Sequence, residues 1–116
     1  SYKKQIFVHL PNIPDAELLA DIEVINQPKL FSEYPTGTIF FLNFSNSKSL
    51  AELLYQQKHS PIIAFEGELD EETAANAVRC FYTEYQESKN AISAFQYMIL
   101  KLPETSSKGL YILYRY

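Results

Sequence analysis

The hydrophobic pattern changes period several times along this chain. Residues 38–44 (Thr-Ile-Phe-Phe-Leu-Asn-Phe) are apolar at almost every position, and so are Ile62-Ile63-Ala64-Phe65. Strand side chains alternate between faces, so an unbroken apolar run predicts a strand covered on both sides. Residues 5–10 predict another strand, with the β-formers Ile6, Phe7 and Val8 in a row and Pro11 ending it. Ile22-Glu23-Val24-Ile25 alternates like a short, partly exposed strand, and the aromatic-rich residues 110–116 close the chain as one more.

Between these runs the apolar period lengthens to that of a helix. Leu50, Leu53 and Leu54, continued by Gln57, predict a helix over residues 48–58, capped by Asn46 or Ser47 and stopped at His59-Ser60-Pro61. Asp70 opens a second helix whose buried stripe is Ala74, Ala77, Val78, Phe81, Tyr82 and Tyr85, with Glu71 and Glu72 at its positive end. Ser88-Lys89-Asn90 breaks the stripe, and Asn90 caps a third helix lined by Ala91, Ile92, Phe95, Met98, Ile99 and Leu102. Asp15 reads as the cap of a turn over residues 16–20, and Pro28 as the start of a short helix reaching Tyr34. Pro35 and Gly37 mark a turn, and residues 103–109 a polar loop. Strands alternating with helices predict an α/β fold: a mainly parallel sheet with helices on both faces, three layers deep. Residues 1–116 form a single domain, whole or a piece of a larger multidomain protein. Phe40, Leu42, Ile63, Phe65, Val78, Phe81, Phe95 and Ile99 are expected in one core.

Composition narrows the chemistry. At 116 residues the chain can bury about 65% of its unfolded surface, enough to fold without staples. The net charge of −4 and the absence of a basic stripe argue against nucleic acid and membranes as partners. A single cysteine, Cys80, excludes an intrachain disulfide and fits a reducing, cytoplasmic setting. With three glycines no phosphate-binding fingerprint can be written. One cysteine and two separated histidines supply no zinc set, so no cofactor or metal is expected. Glu66, Glu68, Asp70, Glu71 and Glu72 read as the solvated start of a helix, where the dipole favours carboxylates. Ser45 and Ser47 follow the strongest strand, at the carboxyl-end position where open α/β sheets bind ligands. Their neighbours are not the small residues of a nucleophile elbow, so they read as loop and cap residues. His9 reads as a packed or hydrogen-bonded strand histidine, His59 as exposed beside its proline, and Cys80 as a small buried hydrophobe.

The order of elements over residues 38–102 resembles the C-terminal half of the CHAT family, caspase- and separase-related domains found beside tetratricopeptide repeats. The resemblance rests on Leu42-Asn43-Phe44-Ser45, then Leu50 to Leu54, then Pro61-Ile62-Ile63-Ala64-Phe65-Glu66-Gly67. It continues through Asp70, the segment Ala74-Ala75-Asn76-Ala77-Val78-Arg79-Cys80-Phe81-Tyr82 and Ala91-Ile92-Ser93-Ala94-Phe95. Upstream, Ile6-Phe7-Val8-His9-Leu10 resembles the family's histidine-bearing strand. The resemblance implies a caspase-like sheet in which the 38–44 strand lies parallel between the 5–10 and 62–65 strands. It makes His9 the structural histidine, and it puts Ile13 where the catalytic histidine belongs and Ser45 where the nucleophilic cysteine belongs. Isoleucine takes no proton, and an unassisted serine hydroxyl is a weak nucleophile at neutral pH.

The expectation that follows is a catalytically inactive CHAT-like domain serving as a regulatory or scaffolding interaction module. One alternative is a CHAT-like peptidase or hydrolase using Ser45, assisted by His9 or by a residue from outside the chain. Another is a generic α/β interaction module. A protein partner or a second copy is expected at the closing strand, through Tyr111, Tyr114 and Tyr116, because an outer strand leaves backbone groups open for pairing.

Overall fold

A computed structural model describes residues 4–19 and 33–114. Its elements in order are β1 (Gln5–His9), β2 (Glu17–Leu19), β3 (Ile39–Asn43), α1 (Lys48–Gln56), β4 (Ile62–Phe65), α2 (Glu71–Ser88), α3 (Ala91–Lys101), α4 (Glu104–Ser107) and β5 (Leu110–Leu113). The strands form one five-stranded sheet in the order β2-β1-β3-β4-β5.

The sheet is mixed. β3 and β4 run parallel, Phe40 opposite Ile62 and Phe41 opposite Ile63. β1 is antiparallel to both β2 and β3, and β5 is antiparallel to β4. β3 does lie between β1 and β4, as the resemblance requires, but it runs against β1, with His9 opposite Ile39 and Gln5 opposite Asn43. A mainly parallel sheet is thus corrected to a single parallel pair. The physical reason is that an unbroken apolar run reports burial on both faces, and helices on both faces bury an antiparallel strand equally well.

The layers follow from alternation along β3, which is buried at every residue. Ile39 and Phe41 join Ile63 and Phe65 on one face, where Ala74, Ala77 and Phe81 of α2 and Ala94 and Met98 of α3 cover them. Phe40 and Leu42 join Ile6, Val8 and Ile62 on the other, under Leu50, Ala51 and Leu54 of α1. The sheet therefore divides the expected single core in two. Val78, Phe95 and Ile99 border the α2–α3 side and are only partly buried.

Local chemistry sets most of the helix ends. Asp70 caps α2, accepting the Thr73 amide at 2.7 Å and the Thr73 hydroxyl at 2.8 Å. Those two bonds hold the Asp70 carboxyl below its usual range. Its contribution to stability is present above the ordinary carboxylate pKa and is lost as pH falls through the lowered value. Lys89, with φ of 54°, ends α2 in the left-handed region, and Asn90 caps α3 by accepting the Ser93 amide at 3.0 Å. α1 stops at Gln56, short of residue 58, where Lys58 turns to φ of 70°.

Three other sequence expectations shift. Residues 17–19, read as part of a turn, extend along β1 as its outer neighbour β2. The polar loop 103–109 contains the one-turn helix α4. The strand read at 22–25, the helix from 29 as far as residue 32, and Tyr116 lie outside the described residues. Among the described residues no helix is long and apolar enough to cross a membrane.

Candidate functional site

The parallel pair places two candidate serines at its carboxyl end, where the chain leaves β3 and enters α1. Both hydroxyls are committed to backbone groups of the segment leaving β4. Ser45 Oγ accepts the Leu69 amide at 2.7 Å and donates to the Leu69 carbonyl at 3.2 Å. Ser47, fully buried, accepts the Phe65 amide at 2.9 Å. Backbone bonds run alongside, from the Asn46 amide to the Gly67 carbonyl and from the Ser47 amide to the Phe65 carbonyl. Ser47 occupies the N-cap position of α1 yet forms no side-chain cap there, because its hydroxyl serves β4 instead.

These bonds make the serines part of the join between β3–α1 and β4–α2. Ser45→Ala leaves the Leu69 amide without its acceptor, and is expected to cost about 1–3 kcal/mol in a denaturant titration. A loss within error would show that water or a rearranged loop serves Leu69 equally well.

The acidic residues nearby are each occupied locally. Glu66 meets Lys48 at 3.7 Å, Glu68 accepts from Asn46 at 3.4 Å, and Asp70 caps its helix. Glu71 and Glu72 fill the first turn of α2. Among the described residues, no three His, Cys, Asp or Glu side chains converge as a metal site would require.

His9 lies at the other end of the sheet. It is 4% exposed, and its Nε2–H donates to the Ile13 carbonyl at 2.7 Å. With the proton on Nε2 for that bond, Nδ1 is a buried acceptor without a hydrogen-bond partner among the described residues. Tyr82 stacks on the imidazole at 5.5 Å between centroids, and Tyr85 meets it edge-on at 4.9 Å. Ile13 is 47% exposed in the turn after β1.

The antiparallel pairing separates the sequence-predicted site residues. His9 sits opposite Ile39, whereas Ser45 follows Asn43 at the far end of β3. Four strand steps at about 3.3 Å put those ends about 13 Å apart before the two further residues to Ser45. Ser45 is thus brought to Leu69, and neither Ile13 nor His9 is brought to Ser45. His59, read as exposed, is 8% exposed and its ring meets Phe40 edge-on at 4.9 Å. Cys80 is a free thiol, half-buried against the α2–α3 side of the core.

Sequence reading assigned Tyr82 and Tyr85 to a helix stripe and missed that they enclose a histidine. Their spacing of three was the available signal, but nothing local named the ring they would meet. Burial, together with the neighbouring Tyr85, pushes the Tyr82 phenol well above its ordinary value, and its hydroxyl has no hydrogen-bond partner among the described residues. Desolvation also raises Tyr85 and Tyr111. A raised folded pKa means that the unfolded chain ionises first. Stability is therefore full below the ordinary tyrosine value of 10.0 and falls as pH climbs from there toward the raised values. Tyr82→Phe removes an unsatisfied buried hydroxyl, so it is expected to stabilise by about 1 kcal/mol at neutral pH and to flatten the alkaline loss. Urea titrations of both proteins at neutral and alkaline pH measure the two effects together.

The chain is a three-layer α/β domain built on a mixed five-stranded sheet, with its serine-bearing and histidine-bearing ends apart. No protein-family model, curated protein or solved structure matches it.

Proposed function

We propose that this domain works by binding another protein or a second copy of itself, not by catalysis, and that β5 is the contact. The regulatory or scaffolding role is the one the CHAT resemblance implies, although β1 runs antiparallel to β3 where that resemblance requires a parallel strand, and Ile13 and Ser45 lie at opposite ends of the sheet. One observation carries it: among the described residues β5 is an outer strand, paired with β4 alone. A strand in that position presents a row of backbone donors and acceptors to solvent, the template on which an added strand forms. Tyr111, Ile112 and Leu113 along it are all partly exposed, so side chains on both faces are placed to extend a neighbour's apolar surface. Tyr114, just past the strand, is 37% exposed.

The catalytic side of the reading is supported by the occupation of Ser45. Its hydroxyl already accepts and donates to Leu69, and no imidazole lies beside it. Covalent catalysis requires a base within about 2.6–3.2 Å of the nucleophile.

Two measurements test the reading. In sedimentation velocity the chain is expected to self-associate with rising concentration, and amide exchange is expected to slow at residues 110–113 as it does so. A single monomeric species with unprotected β5 amides at every concentration would remove self-association. A fluorophosphonate probe is expected to leave the chain unlabelled. Labelling of the wild type that disappears in Ser45→Ala would establish a working nucleophile instead.

A further inference from the structure

Three separate segments line a half-open cavity at the His9 end of the sheet. His9, Pro11 and Ile13 come from β1 and the turn after it, Gly37 from the turn before β3, and Tyr85 and Lys89 from the end of α2. Its volume of about 520 Å³ falls within the roughly 300–1,000 Å³ of small-molecule sites. Pro11, Ile13 and Tyr85 supply the apolar half of a wall that is otherwise polar, and no carboxylate is among the lining residues. Lys89 brings the cation. It forms no ion pair among the described residues, where the salt bridge is the distant Lys48–Glu66. The carbonyl end of α2 and the amide end of α3 meet at this turn, so their opposite end charges offset one another. His9 adds the second observation, a nitrogen in a side chain only 4% exposed that has no hydrogen-bond partner among the described residues.

We infer that this cavity binds a small organic carboxylate with an apolar body. The carboxylate pairs with Lys89, and the body packs against Pro11, Ile13 and Tyr85. Charge complementarity selects the class, because the wall offers one full positive charge and no negative one. A ligand O–H or N–H is the group that would complete His9 Nδ1. The site is independent of β5, which lies at the far edge of the sheet from β1.

4-Hydroxybenzoate is the probe and its methyl ester the uncharged counterpart, both carrying the same O–H. The chain has two histidines, so His9→Gln assigns the His9 imidazole resonances, and these report occupancy. Lys89 has φ of 54°, so Lys89→Asn removes the charge with a residue that tolerates the left-handed region, and Lys89→Gly is the second such variant. 4-Hydroxybenzoate is expected to produce a saturable shift at His9 and the ester to bind about ten-fold more weakly. Either variant is expected to bring 4-hydroxybenzoate down to the level of the ester and leave the ester unchanged. No saturable shift with 4-hydroxybenzoate, equal affinity for the two compounds, or unchanged 4-hydroxybenzoate binding in a folded Lys89 variant would overturn the inference.

Discussion

Phe81→Ala is expected to cost about 3–5 kcal/mol. Phe81 is fully buried on the inner face of α2. Its ring meets Phe41 of the central strand edge-on at 5.4 Å, Tyr82 edge-on at 4.9 Å and Tyr85 in a stacked arrangement at 6.0 Å. Removing it strips the aromatic contact between helix and sheet and leaves a cavity that Phe41, itself fully buried, has no free space to fill. Equilibrium unfolding in urea measures the loss from the shift in midpoint at unchanged slope. A loss below about 1 kcal/mol would mean that α2 presents a different face to the sheet.

Gly109→Ala is expected to destabilise by about 3 kcal/mol, at the upper end of the cost of overpacking. Gly109 lies where β5 begins beside the end of β4, and its carbonyl accepts the Glu66 amide at 2.9 Å. A Cβ at Gly109 would run into the Glu66 carbonyl oxygen and come within 3.0 and 3.1 Å of two Phe65 ring atoms. Phe65 is buried and the obstructing oxygen belongs to the backbone, so the strands themselves must part. The same titration, joined to amide exchange at Glu66, measures the effect. Wild-type stability with Glu66 still protected would show that the β4–β5 junction is looser than its packing.

The two predictions mark how far the sequence could be read. Phe81 was legible because the 3.6 period from Ala74 to Tyr85 is a local property of the chain, and every stripe residue lies on one side of one helix. Gly109 was legible only as a glycine in a polar loop. Its requirement comes from Glu66 and Phe65, more than forty residues earlier, and no local pattern reports a backbone oxygen that arrives from elsewhere. Ser47 shows the same limit. Its position before α1 announced a cap, yet burial against β4 offered the Phe65 amide as a competing donor, and that bond formed instead.

The candidate site divides along the same line. Ser45 was placed correctly at the carboxyl end of the strongest strand, because strand and helix signals flank it. Its distance from His9 was not legible, since it depends on the direction in which β1 pairs with β3, and a strand's apolar run reads alike in either direction. The cavity beside Lys89 draws on residues 9, 11–14, 37, 85 and 89, which have no common period.

By itself the sequence determined the class of the fold, the identity and rough limits of β1, β3, β4, β5, α2 and α3, the acidic start of α2, and the hydrophobic residues of both faces. These follow from periodicity, capping and turn chemistry, which act over a few residues. Only the tertiary structure decided that the sheet is mixed, that it splits the core in two, that residues 17–19 join its edge, and that Ser45 and His9 face different ends. Each of these depends on which segments meet across long stretches of chain, where the choice is made by packing both faces of one sheet at once and not by any single segment's preference.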